Sequence, residues 1–186
     1  MAARIEPLMT VEDLQAMPED GNRYEVIEGE LFVACAPGLP HQRVIGNILF
    51  TLRTYLNANP IGEIITTPGL VFDEYSGVIP DIVFFSHERG AEIIANDRLQ
   101  AAPELVIEIL SPGRENLARD RVAKRQLYGK YGVKEYWIVD SESCAVEIYR
   151  LREAMLDLVT VSCGADEITS ALLPDFTCAA SAFFGG

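Results

Sequence analysis

Residues 105–110 read LVIEIL, a continuous apolar run interrupted by one carboxylate. A run of this length and β-branched character suits a central strand covered on both faces. The chain therefore needs a sheet with a layer of structure on each side. Ser111-Pro112-Gly113 breaks the run. Glu108, in its middle, is the misfit, because a carboxylate withdrawn from water inside a strand is costly unless a cation or hydrogen bonds compensate. Asp81 repeats the problem inside residues 78–85, VIPDIVFF. Neither acid belongs there for stability alone.

The elements around these runs predict a mixed α/β architecture. Thr10, with an acid three residues later and Leu14 and Met17 at helical spacing, predicts a short capped helix ending near Pro18. Residues 24–36, YEVIEGELFVACA, place Glu28-Gly29 between two apolar stretches, as a hairpin would. The clearest helix carries Val44, Ile45, Ile48, Leu49, Leu52, Tyr55 and Leu56 at three- and four-residue steps and stops at Asn59-Pro60. Short runs at 63–67, 70–73 and 78–85, separated by turn signals, read as an antiparallel meander. Residues 114–131 read as a second long helix, capped by Gly132. Strands follow at 136–140, 146–151 and 156–161, the last long one, and the apolar tail through Phe183-Phe184 is expected to dock. With no repeat or linker, residues 1–186 read as one domain.

Composition narrows the classes. An apolar content of 49% over 186 residues excludes disorder and exceeds what a chain needs to fold without disulfides or metal. Cys35, Cys144, Cys163 and Cys178 form no Cys-x-x-Cys pair and have only His41 and His87 to join them, so free thiols rather than a zinc site are expected. The first residues lack the blocks of a signal peptide, and no apolar run approaches the ~18 residues of a membrane span. A cytoplasmic location and no membrane partner are the expectation.

Two features carry chemistry. If the strands holding Asp81 and Glu108 are neighbours, their carboxylates converge on one hard divalent cation such as Mg2+, which takes one or two protein carboxylates and keeps several waters. The second is a basic segment: residues 114–134 hold seven of the 15 Lys and Arg side chains against Glu115 and Asp120, a local +5 in a chain of net −13. Arg119, Arg121 and Arg125 are its candidate phosphate contacts. Asp120, Lys124 and Tyr128 fall on one helix face, from which a lysine can point back into the acidic pair.

Val78-Ile-Pro-Asp81, the Glu104 to Pro112 segment holding Glu108, Arg119 to Lys124, Tyr128, and Tyr131 to Asp140 together, in this order, resemble a large bacterial family of restriction endonuclease-like proteins in the PD-(D/E)XK nuclease superfamily. The likeness spans most of the chain, including the Tyr24 to Leu31 hairpin and His41-Gln42 at the opening of the first helix. A lone Pro-Asp carries no weight, since Pro174-Asp175 recurs near the end without a following strand. The resemblance implies a restriction endonuclease-like core, a mixed central β-sheet flanked by helices, with the N-terminal hairpin added. It makes Asp81 the motif aspartate and Glu108 the motif glutamate, both metal ligands. The superfamily's usual lysine, two residues after that glutamate, is replaced by Leu110, and Lys124 on the next helix is the matching position. His41, Glu25 or Glu28 would complete the site.

The implied activity is Mg2+-dependent hydrolysis of phosphodiester bonds in DNA, with Mn2+ as a substitute metal and Lys124 orienting water or stabilising developing charge. Asp81→Ala and Lys124→Ala are expected to abolish cleavage and leave the fold intact. A homodimer would suit cleavage of both strands. The net charge of −13 favours two competing readings: a catalytically inactive nucleic-acid-binding module on the same fold, or a protein-interaction module whose acids form a closed ion-pair network with Arg119 or Arg121.

Overall fold

The structure is a computed structural model that describes residues 8–111 and 119–185. The apolar periodicity beginning at Val44 becomes α1, Leu39–Ala58, with Pro40 in the first turn, where a missing N–H costs nothing. Asn59 leaves helical geometry ahead of Pro60, whose ring disfavours it there. The strands are, in chain order, β1 (Arg23–Ile27), β2 (Glu30–Ala34), β3 (Gly62–Thr66), β4 (Leu70–Asp73), β5 (Ser76–Val78), β6 (Ile82–Ser86), β7 (Ile94–Ala95), β8 (Arg98–Leu99) and β9 (Leu105–Ile109). They continue with β10 (Glu135–Asp140), β11 (Ala145–Arg152), β12 (Met155–Cys163), β13 (Glu167–Ser170) and β14 (Leu173–Ala179). A short α2 (His87–Ile93) follows β6, and α3 (Arg125–Lys130) precedes β10.

The main sheet has the order β12-β11-β10-β9-β6-β3, with β9 and β10 parallel and the other pairs antiparallel. Alternation along β9 explains why its run is apolar on both sides. Leu105, Ile107 and Ile109 join Val44, Ile48 and Leu52 of α1 in one core. Val106 and Leu110 face the other way, into a second core with Leu127 and Tyr128 of α3. That second core is closed by another sheet, of order β2-β1-β5-β4-β8-β7, through Ile27, Leu70, Val78 and Leu99. Glu108 has the parity of Val106 and Leu110, so it enters the layer between the two sheets and α3.

Local signals account for the β1–β2 hairpin. Glu28 and Gly29 both take positive φ, 51° and 83°, the pair of left-handed positions that a two-residue turn matching strand twist requires. At Thr10 the capping bonds form, with its hydroxyl and N–H both donating to Asp13, but only a 3-10 turn, Asp13–Ala16, follows. None of its four residues is buried, so no tertiary face extends it.

Three further expectations are corrected. Residues 63–85 are not a meander: β3 pairs with β6 in the main sheet, whereas β4 pairs with β5 in the second. Residues 78–85 are not one strand, because Ile79-Pro80-Asp81 carries the chain from one sheet to the other, at the residue that lacks an N–H for pairing. Residues 156–161 lie in β12 but are not the last long strand, since β13 and β14 form a later hairpin with Pro174-Asp175 inside β14. Of the expected 114–131 helix, 114–118 lie outside the described residues. Arg119–Lys124 is a wider π-helical turn leading into α3, and Gly132 takes the left-handed conformation (φ 87°) after it. The tail docks as expected, with Phe183 fully buried against Trp137.

Candidate active site

In the β6–β9 pairing Ile82 faces Ile107 and Val83 faces Val106. Carried one residue beyond β6, the same antiparallel register sets Asp81 opposite Glu108. Both carboxylates are buried, each residue only 3% exposed. The strand order alone brings together two acids that are 27 positions apart in sequence.

Asp81 is held on every side. One oxygen accepts from the Arg23 guanidinium at 2.9 Å, and the other from His41 Nε2 at 3.1 Å and the Ile109 N–H at 2.9 Å. Burial pushes its pKa up, but the His41 bond and charge, the Ile109 N–H and Arg23 outweigh it and bring the group down to about 2. Asp81 is a fixed anion at neutral pH. Because a carboxylate only accepts, the His41 Nε2 carries the hydrogen. Among the described residues, His41 Nδ1 is the buried side-chain atom without a hydrogen-bond partner.

Glu108 sits in the opposite regime. Its Oε1 accepts from Lys124 Nζ at 2.9 Å and from the Tyr128 hydroxyl at 2.7 Å. Burial dominates over the attraction of Lys124, and the Asp81, Asp120 and Glu25 charges add to it, so its pKa is pushed up to about 8. For Lys124, burial works against the ammonium, but Glu108, Glu25 and Asp120 outweigh it and raise its pKa. Lys124 is thus a permanent cation, 2.9 Å from Glu25 as well as from Glu108. Glu25 comes from β1 in the second sheet and also accepts the Ile79 N–H at 2.7 Å.

These groups line one small pocket in which Arg23, Arg119 and Lys124 face Glu25, Asp81 and Glu108. The space between them is about 20 Å3, room for one water or a bare ion. Among the described residues, no group of three or more His, Cys, Asp or Glu side chains forms a ready metal cage. The donors nevertheless fit a hard cation that takes one or two carboxylates and keeps its waters. Among the described residues, both bonds to Glu108 fall on Oε1, and the single bond to Asp81 Oδ1 leaves that oxygen acceptor capacity.

Of the residues singled out in the sequence, Asp81, Glu108, Lys124, His41, Glu25 and Arg119 meet in this pocket. Glu28 does not: it occupies the hairpin turn, its side chain 62% exposed and paired with Lys130. Arg121 and Arg125 do not either. Arg121 is bound to Glu147 at 2.6 Å, and Arg125 lies over the Tyr149 ring at 5.4 Å. The basic segment is no open stripe, since Arg119 pairs with Asp120 and Lys134 with Glu104 as well. Sequence reasoning missed Arg23, although its parity with Glu25 along β1 places both side chains on one face. It placed Tyr128 on the helix face of Lys124 but not on Glu108.

The sequence profile of the Uma2 family, described as "Putative restriction endonuclease", matches residues 11–181, nearly the whole chain. The chain belongs to the Uma2 family. Among solved structures, the crystal structure of a putative nuclease belonging to DUF820 from Anabaena variabilis is similar at a TM-score of 0.76 and 18% identity, covering 95% of this chain and 97% of that one. That likeness establishes a shared fold. No curated protein matches the chain. Within the Uma2 profile match lie both sheets, α1 and every pocket residue named above. No helix among the described residues is long and apolar enough to cross a membrane.

Proposed function

We propose that this Uma2 protein is a Mg2+-dependent endonuclease that hydrolyses phosphodiester bonds in DNA, with Mn2+ able to replace Mg2+. The observation that carries the reading is the register-opposed pair Asp81 and Glu108 with a buried, permanently charged Lys124 on the glutamate. The descriptions of the family and of the similar Anabaena variabilis protein name chemistry of the same kind.

Asp81 and Glu108 would hold the cation, which when bound supplies Lewis-acid activation of a phosphate oxygen and of the attacking water. The chain's own residues do the rest. Lys124, fixed as an ammonium, is excluded as a general base and instead stabilises negative charge developing on the phosphate. His41 donates from Nε2 to Asp81 and so holds the motif carboxylate in position. Arg119, the one candidate phosphate contact lining the pocket, supplies a second cation there.

The competing reading, an inactive module closed by internal ion pairs, is favoured by one observation. Without metal the pocket already balances its charges, because Arg23 neutralises Asp81, Lys124 neutralises Glu25 and Glu108 keeps its proton below about pH 8. Cleavage separates the two. Circular single-stranded and double-stranded DNA are incubated with wild type and Glu108→Gln in Mg2+ or in EDTA. The isostere keeps an oxygen for Lys124 and Tyr128. Cleavage by wild type in Mg2+, lost in EDTA and cut by about 100-fold or more in the variant, is the expected result. Equal nicking by both proteins, or none by either, overturns the assignment.

A further inference from the structure

A larger cavity lies beside the acidic pocket and has no role in the chemistry above. It is a groove of about 610 Å3 between the 3-10 segment Asp13–Ala16, β1 and the β4–β5 hairpin. Its volume falls in the range of sites that enclose small organic ligands, ~300–1,000 Å3. Arg23 and Ile79 line both the groove and the acidic pocket, so the two spaces adjoin at the residue that binds Asp81.

The lining says what the groove can hold. Leu14, Met17 and Val78 give it apolar surface, and Gln15, Asn22 and Tyr24 add uncharged hydrogen-bonding groups and an aromatic ring. Its charges cancel, with Arg23 and Arg98 set against Glu19 and Asp97. A track for a phosphate backbone would need an excess of cations. An uncharged, flat, apolar ligand with a polar edge, adjoining a phosphate in the next pocket, is what this surface complements. A nucleobase has that chemistry, and it offers its faces only when it is unpaired and unstacked from its neighbours.

We propose that the groove is a nucleobase subsite, which receives one unpaired base of the strand whose phosphate enters the pocket of Asp81 and Glu108. This inference rests on the nuclease reading for the identity of the strand, and it names the substrate class: single-stranded DNA, or a single-stranded segment of a duplex. Arg23 then stands at the junction between base and phosphate.

The test is binding, measured in EDTA at low salt so that no cleavage intervenes. A fluorescently labelled single-stranded DNA oligonucleotide is compared with one of the same length in which the central nucleotides are abasic. The phosphate charge is identical in the two, so their ratio of affinities reports the base alone. Wild type is expected to prefer the intact strand by at least about fivefold, the lower end of what one stacked base contributes. Leu14→Trp, which fills the groove, brings the ratio to about one without changing affinity for the abasic strand. Gln15→Trp, at an exposed position on the same lining, is a second filling variant should Leu14→Trp not fold.

A ratio near one in wild type, a ratio untouched by both tryptophan variants, or no binding of either strand overturns the subsite. Mg2+-dependent cleavage with a ratio near one would remove the subsite and leave the nuclease reading standing. A fivefold ratio abolished by the filling variants, in a protein that cleaves no DNA, would keep the subsite and remove the nuclease reading.

Discussion

The Lys124 ammonium lies 2.9 Å from Glu108 in the main sheet and 2.9 Å from Glu25 in the second, with all three side chains buried. One cation therefore ties the two sheets together across the acidic pocket. The same contact that would stabilise charge on a phosphate is also structural.

Lys124→Ala follows from that relationship. Removing the ammonium leaves the Glu25 carboxylate buried without its cation and takes a hydrogen-bond donor from Glu108, which costs about 3–5 kcal/mol. The expectation from sequence, an inactive protein with an intact fold, is replaced by one of lost activity and lost stability together. Urea unfolding of Lys124→Ala and of Lys124→Ala with Glu25→Gln measures it. The double variant is expected to recover part of the loss, since it removes the stranded charge.

Asp81 governs the acid limb of stability. Its pKa is lowered to about 2 from an ordinary 3.8, so the folded state favours the anion. The stabilisation, about 2 kcal/mol, is complete above pH 4 and is lost as pH falls through the range from about 4 to 2. Asp81→Asn should flatten this limb in a series of unfolding curves at acid pH. It also leaves Arg23 without its carboxylate, so the variant is expected to be less stable at neutral pH, not more stable through relief of repulsion with Glu108.

Glu108 acts with the opposite sign. Its pKa in the folded protein, about 8, lies above the ordinary 4.5, so the folded state retains a proton that the unfolded chain releases. Stability of the metal-free protein is expected to fall as pH rises from about 4.5 to about 8. Glu108→Gln cannot release that proton, and its unfolding free energy should be level across this window when measured in EDTA.

Arg121 and Arg125 are expected to be dispensable. Arg121→Ala breaks a half-exposed pair with Glu147, worth at most about 1 kcal/mol. Neither residue lines the pocket, so DNA cleavage rates for Arg121→Ala and Arg125→Ala should match wild type, while Arg119→Ala should slow the reaction.

Much of this arrangement was legible because it is periodic or costly. The stripe of α1 follows from spacing, and the strand character of 105–110 from an unbroken apolar run. Glu108 and Asp81 stood out because a carboxylate among β-branched residues has no reason to be there without a partner. What sequence left open depends on contacts distant along the chain. Whether Glu25 or Glu28 faced the pocket was decided by the turn at Glu28-Gly29, which throws Glu28 outward and leaves Glu25 on the pocket, where its carboxylate accepts the Ile79 N–H. The neutralisation of the basic segment was invisible, because Glu147, Glu104 and the Tyr149 ring reach it from other elements. The late β13–β14 hairpin was missed because Pro174 reads as a strand breaker, although it falls at the register shift of a two-stranded pairing that tolerates it.

The central claim is that Asp81 and Glu108 form one cation site inside a pocket that balances its own charges without metal. Calorimetric titration of Mn2+ into wild type, Asp81→Asn and Glu108→Gln at pH 8 tests it most directly. The account requires one binding event in wild type that is lost in both variants while their folds persist by circular dichroism. No binding to wild type, or equal binding to all three proteins, would contradict it.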